Sequence, residues 1–348
     1  MGGLYEISGF SPTTRLNQIQ VIGTHNSYHI EPDPELLQAL VARFGRATEL
    51  RYSHTPLEQQ LQLEQVRQLE LDVYADPLGG LFRERAGLAL IHRDIQSSEP
   101  KLDQPGFKVM HIPHIDYRTH CLTLKDGLTT IRDWSQANPG HIPVMVLIEV
   151  KGAFPEVMAE LNCKQPIICG INELDALDQE IRSVFARDHL LLPDDIRRDC
   201  KTLKEGVLNL GWPRLSELGG KVFFALDNTD RIRDLYLQSC PSLEGRVMFT
   251  SSLPGTPSAA FIKANNPEGV NMEKIQEWVR QGYLVRTMAD PPLNEIAAGN
   301  LERARAALES GAHFVSTDFP RPNPTGYEVR LSAKAKLPAR LNPITSLG

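Results

Sequence analysis

The chain has no excess of positive charge. Lys and Arg number 37 against 43 Asp and Glu, a net charge of -6, and this argues against a general nucleic-acid binder, whose phosphate partner calls for a basic surface. It also has no apolar run near the roughly 18 residues of a membrane-spanning helix. The richest stretch, Val144-Met145-Val146-Leu147-Ile148, is only strand-sized. Five cysteines (Cys121, Cys163, Cys169, Cys200, Cys240) are too few, and odd in number, for a disulfide scaffold, and none has zinc-site spacing. Cys163 and Cys169 are placed to close a small loop in an oxidising compartment. Glycine-rich phosphate loops of the GxGxxG or GxxxxGK[ST] type are missing, which removes the commonest nucleotide argument for an open doubly wound sheet. What is present is ordinary for a protein with a real core: 348 residues, 41% hydrophobic and 23% charged.

Short β-rich segments alternate with helical patterns. The strands read at 18–24, 68–75, 107–112, 144–151, 221–227, 246–251, 283–290 and 313–318. Helix-like spacing follows or precedes them at Leu57 to Val66, Leu122 to Trp134, Glu173 to Phe185, Met272 to Arg280, and Asn300 to Ser310 before Gly311. This alternation predicts a distorted (β/α)8 barrel in one domain. The catalytic domain is expected over 1–330, with 331–348, which includes Lys334, Lys336 and Arg340, as an extended tail on the barrel. The long connections 29–56 and 76–106 follow the first two strands, on the face where barrels build sites.

The chemistry-bearing residues stand at strand ends. The opening strand Val21-Ile22-Gly23-Thr24 delivers His25 and Asn26. Residues two apart on a strand share a face, so Glu70 and Asp72 point together while Leu69, Leu71 and Val73 point away. Glu149 follows five apolar residues, an expensive place for an acid unless it is paired or metal-bound. Glu70, Asp72, Glu149 and the Asn26 amide oxygen make a hard oxygen set that suits one Ca²⁺, or else Mg²⁺. His25 and His111 supply groups that titrate near neutrality. Among ten histidines, His92 follows an apolar pair in the same way and competes with them, and His114 would stand behind His111. Lys151, Lys263 and Arg286 are candidates for a phosphate. Asp290 and Asp318 are candidates to orient Arg286 or to bind a polyol.

These segments resemble the calcium-dependent phosphoinositide-specific phospholipase C family in its bacterial and fungal branch. The resemblance is carried by Gly23-Thr24-His25-Asn26-Ser27-Tyr28 and Leu69-Glu70-Leu71-Asp72. His111 to Asp116, Pro143 to Lys151, Gly282 to Asp290 and Ser310 to Pro320 extend it in order. It implies a distorted TIM barrel with a single Ca²⁺ on Asn26, Glu70, Asp72 and Glu149, and catalytic histidines at His25 and His111. It further implies attack by an inositol 2-hydroxyl on phosphorus, with diacylglycerol expelled and inositol 1,2-cyclic phosphate formed. In that scheme His111 is the acid and His25 the stabiliser or base, with Glu70 able to share the base role. The chain departs from the pattern in a longer segment over Gly79 to Gln96, and at Leu341, where a cysteine is expected.

Two other readings share these residues. A glycerophosphodiester phosphodiesterase has the same barrel and acids, but Asn26 after His25 is not its usual arginine-rich opening. A non-catalytic headgroup- or carbohydrate-binding barrel would not need His25. The expected partner is a phosphoinositide or a soluble inositol phosphodiester, with transient membrane contact through Leu78, Leu81 and Phe82. The N-terminus lacks a signal-peptide pattern. The expectation is a secreted or periplasmic protein whose signal peptide is missing from this chain, with a cytoplasmic location left open.

Overall fold

A computed structural model describes residues 6–153, 161, 163–332 and 337–345; Lys334 and Lys336 lie outside the described residues. Its strands are β1 (Ile19–Thr24), β2 (Gln68–Asp76), β3 (Gly106–Val109), β4 (Val144–Val150), β5 (Val222–Leu226), β6 (Met248–Thr250), β7 (Phe261–Lys263), β8 (Leu284–Met288), β9 (Phe314–Thr317) and β10 (Arg340–Leu341). Eight of them pair side by side in the order β6-β5-β4-β2-β1-β9-β8-β7. The pairs are parallel, and a parallel bridge from Ser251 to Phe261 joins the two ends. The result is a nearly closed eight-stranded barrel with helices around it. Among the described residues, pairing is thin at β1–β2, where Gly23 opposite Gln68 is the register pair, and at the β6–β7 seam, which that isolated bridge joins.

Two sequence expectations need correction. The segment 107–112 is not a barrel stave: β3 runs antiparallel to the end of β2, with Val73 opposite Val109 and Asp76 opposite Gly106. The eighth stave is instead β7, whose three residues are too short to show a period. A hydrophobic run cannot distinguish this antiparallel hairpin partner from a parallel stave, since β3 is buried on both faces much as the staves are. The thiols also differ from expectation, because all five cysteines are free, Cys163 and Cys169 included.

The outward faces of the strands are aliphatic and pack on the helices. Leu69, Leu71, Val73, Val144, Val146 and Ile148 belong to one large core with Leu124, Leu128 and Ile131 of helix Leu124–Ala137. Thr123 starts that helix by accepting the Asp126 N–H at 3.1 Å. A second core joins the two long connections. Leu36, Leu37 and Leu40 of helix Pro34–Phe44 pack with Tyr74, Phe82, Leu102, Met110 and Ile115, forming a roof beside the end of β2. Phe82 is fully buried there against Tyr74, so it is no rim residue; Leu78 is 89% exposed. At the other end of the barrel β10 pairs antiparallel with β1, and Arg340 donates to Gln20 Oε1 at 2.9 and 2.6 Å.

Candidate active site

The first loop is fastened by its own sequence. Gly23 leaves room for Gln68, since a Cβ there would meet the Gln68 side chain at 1.9 Å. Ser27 then clips the loop to β2, its Oγ accepting the Glu70 N–H at 2.8 Å and its N–H donating to the Glu70 carbonyl at 2.9 Å. Gln60 completes the clamp by accepting from Thr24 and donating to the Ser27 carbonyl, each at 2.7 Å. Asn26 sits between with a φ of 45°, a left-handed conformation that asparagine tolerates better than most residues. Its Nδ2 donates to the Tyr52 hydroxyl at 3.0 Å, which fixes the amide and leaves Oδ1 only a long 3.4 Å contact from Tyr28.

Strand register assembles the acids. Asp72 on β2 lies directly opposite Glu149 on β4, and the carboxylate oxygens of Glu70, Asp72 and Glu149 come within 4.8 Å of one another. Asp72 is fully buried, and neither of its oxygens makes a hydrogen bond of good geometry. The cation beside it is Lys151, whose Nζ lies 2.9 Å from Asp72 and 2.8 Å from Glu149. Burial pushes the Glu70 carboxyl up to about 7 despite Arg286 and His25, and it pushes Glu149 up as well, with Asp72 adding to the rise. Three acids so placed want a cation. Buried, under-satisfied oxygen donors, with an amide oxygen beside them that holds only the long Tyr28 contact, fit a hard divalent ion such as Ca²⁺.

Each histidine has a carboxylate behind it. His25 follows β1 and reaches Asp318, the residue after β9, through Nδ1 at 3.0 Å, while Nε2 lies 3.8 Å from Glu70. Burial pulls the His25 pKa down, but Asp318 and Glu70 outweigh it and raise it to about 10. His111 follows β3, and its Nδ1 lies 2.7 Å from Asp116. Asp116 also accepts from His29 Nε2 at 2.9 Å; burial would raise its pKa, but the two imidazoles hold it below the usual range. His29 stacks on Tyr52 at 4.2 Å, and Tyr52 holds Asn26, so one run of contacts joins His111 to the Asn26 amide.

The structure therefore gathers His25, Asn26, Glu70, Asp72, Glu149 and Lys151 at one mouth of the barrel, with His111 beside them. The phosphate candidates are committed differently. Arg286 is buried and spends its three nitrogens on Ser316, Asn265 and Glu70, at 2.8, 2.5 and 2.7 Å. Lys263 pairs with Asp227. Asp290 accepts from Thr317, Tyr327 and the Asp318 N–H, and neither it nor Asp318 orients Arg286. His92 ends a short helical turn, exposed and away from the cluster. His114 is buried against the Lys164 carbonyl at 3.3 Å.

Asp116, His29, His54 and Asp227 had no role from sequence. His54 donates to the His25 carbonyl at 2.8 Å. Asp227 follows β5 and adds its charge to Glu70 and Glu149. The signal was available for Asp227, which closes the apolar run Val222 to Leu226 just as Glu149 closes its own.

The family profile described as phosphoinositide phospholipase C, Ca²⁺-dependent, matches residues 14–343, nearly the whole chain. Among solved structures, the apo calcium-dependent phosphoinositol-specific phospholipase C of a Pseudomonas species superposes with a TM-score of 0.59. It is 16% identical over 98% of this chain and 99% of that one. The Ca²⁺-dependent phosphatidylinositol-specific phospholipase C of Streptomyces antibioticus gives a TM-score of 0.52 at 18% identity, over 88% and 95%. No curated protein matches the sequence.

Proposed function

This chain belongs to the Ca²⁺-dependent phosphoinositide phospholipase C family, and from that premise we propose a specific reaction for it. The inositol 2-hydroxyl of phosphatidylinositol, or of a related inositol phosphodiester, attacks the neighbouring phosphorus. The new P–O bond forms to O2, the bond to the glycerol oxygen breaks, and diacylglycerol leaves. The product is inositol 1,2-cyclic phosphate and/or, where water opens the ring, inositol 1-phosphate. The observation that carries this reading is the β2–β4 register, which sets a buried, under-satisfied Asp72 beside Glu149 within reach of two aspartate-backed histidines.

Asn26, Glu70, Asp72 and Glu149 are the residues to hold one Ca²⁺. When bound, the ion supplies Lewis acidity toward hydroxyl and phosphate oxygens. His25 keeps Nδ1 on Asp318, so Nε2 faces the reacting group. Protonated, it stabilises charge on phosphate. Once its Nε2 proton has passed to solvent, with Nδ1–H still held on Asp318, Nε2 accepts the proton of the 2-hydroxyl and the imidazolium is restored. His111 acts as the imidazolium: its Nδ1–H stays on an anionic Asp116 while Nε2 gives its proton to the departing glycerol oxygen and becomes neutral. Substrate geometry does much of the remaining work, because nucleophile and phosphorus are already neighbours. Lipid contact falls to exposed leucines past the strand ends, Leu78 after β2 and Leu253 after β6, 89% and 59% exposed. No helix among the described residues is long and apolar enough to cross a membrane.

Phosphorus NMR of a phosphatidylinositol digest, with calcium and with chelator, tests this directly. A cyclic phosphate resonance that disappears with chelator is expected. Turnover of glycerophosphocholine without cyclic product would instead support the glycerophosphodiesterase reading.

A further inference from the structure

Arg85 lies between β2 and β3, only 5% exposed, and no carboxylate among the described residues pairs with it. Two other arginines near Tyr117 have acidic partners: Arg93 pairs with Glu35, and Arg118 with Asp33 at 3.0 Å. Arg85 donates Nη1 to the Pro113 carbonyl at 2.8 Å and touches Met110 Sδ at 3.3 Å. Its guanidinium stacks on Tyr117, 4.6 Å from the ring centre. Nε and Nη2 have no acceptor among the described residues. Burial lowers its pKa to about 10, so it stays charged at neutral pH. A charged guanidinium this deeply set, with no counter-ion among the described residues, is costly, and proteins usually supply the anion.

Arg85, with Tyr117 on which its guanidinium stacks, lines a solvent-open cavity of about 400 Å³. Its other walls include Gln96 and the hydroxyl residues Ser97 and Ser98. Glu99 is the one acid on the wall; it is exposed and already accepts the Lys101 N–H at 3.1 Å. None of His25, Glu70, Asp72, His111 or Glu149 borders this space.

We propose that this cavity is a second anion site, in which Arg85 takes a phosphate-type oxyanion with Ser97 and Ser98 as hydroxyl donors. The guanidinium edge suits tetrahedral oxygens, and the cavity has room for a phosphate carrying a substituent. A free phosphate and the phosphate of a lipid headgroup share that chemistry. The site also touches the catalytic region structurally, because the Pro113 carbonyl held by Arg85 lies between His111 and Asp116.

The test is calorimetric titration of the full calcium-free chain with inorganic phosphate, comparing the native protein with Ser98→Glu. Ser98 is exposed, so the glutamate places a carboxylate on the wall without disturbing the core. Saturable binding weakened about tenfold or more in Ser98→Glu, at unchanged circular dichroism, is expected, the scale of one charge-assisted hydrogen bond. Equal affinity in native protein and Ser98→Glu, or no saturable binding in the native protein, would overturn the proposal. Vesicles of phosphatidylcholine with and without phosphatidic acid separate the sources. Sedimentation that depends on phosphatidic acid and is lost in Ser98→Glu assigns the lipid headgroup; phosphate binding without it assigns the free anion.

Discussion

His25 leaves a stave of the barrel wall and meets Asp318 across the seam between β1 and β9. His111 leaves a strand outside the wall and meets Asp116 five residues further along its own chain. The first pair is fixed by parallel register, with Thr24 opposite Thr317 and the His25 N–H donating to the Thr317 carbonyl at 3.2 Å. The second is fixed by a tight local loop, in which Ile112 and Asp116 bridge, and by His29 reaching in from the first connection. Charge divides them too. His25 stands between two acids, whereas the acid beside His111 serves two imidazoles. One imidazole is thereby built to keep a proton, and the other to be aimed by an anion that stays ionised.

The largest effect should come from removing each imidazole and changing the leaving group. His25→Ala and His111→Ala should each lower turnover of phosphatidylinositol by about 10²–10⁴-fold, the range of positioned acid–base groups. An inositol phosphodiester with a phenol-type leaving group needs no acid. It should restore most of the rate in His111→Ala and little in His25→Ala. Equal recovery in both variants would erase the division of roles.

A smaller effect should follow from the carboxylates. Asp116→Asn removes an acceptor shared by His29 and His111, so turnover should fall roughly 10²-fold, part of what a positioned acid supplies, with a lower melting temperature. Asp318→Asn leaves Glu70 still facing His25 and should cost about a tenth as much. Steady-state rates and thermal melts of the two variants measure both. The reverse order of rates would show that the wall, not the local loop, positions the decisive proton.

Much of the wall side was legible in the sequence. Glu70, Asp72 and Glu149 announce themselves as acids among aliphatics, because a barrel strand buries both faces and an inward charge breaks the pattern. His25 and Asn26 stand where a β-branched run stops. The other side was less legible. His111 was found by its place in the motif, but its strand was read as a stave, since pairing direction leaves no trace in alternation. Asp116 and His29 lie in connections, where tertiary contacts decide and no period exists to read. Arg286 shows a further limit: a buried arginine near acids reads equally as a phosphate ligand or as an internal counter-ion, and the structure gives it Glu70.

The finest test of the asymmetry is the pH dependence of stability with calcium chelated. His25 is raised in the folded protein to about 10 from an ordinary 6.5, so its contribution is complete below pH 6.5 and is lost as pH rises through about 10. Asp318 and Asp116 are held below the usual carboxylate range. Their contributions are present above an ordinary value of 3.8 and are lost as pH falls. Glu70 acts with the opposite sign, because ionising a carboxyl pushed up to about 7 costs stability between its ordinary 4.5 and that value. Measurements from pH 7.5 upward largely avoid it. Acid should therefore strain both histidine–aspartate pairs, and alkali only the one in the wall. Lysines and tyrosines also titrate in alkali, so the useful quantity is the difference between native protein and His25→Asn. With the His25 side chain 31% exposed, solvent screens the attraction, and the native melting temperature should fall only about 2–4 °C further than that of the variant by pH 10.5. Parallel curves would mean that Asp318 and Glu70 do not hold a proton on His25.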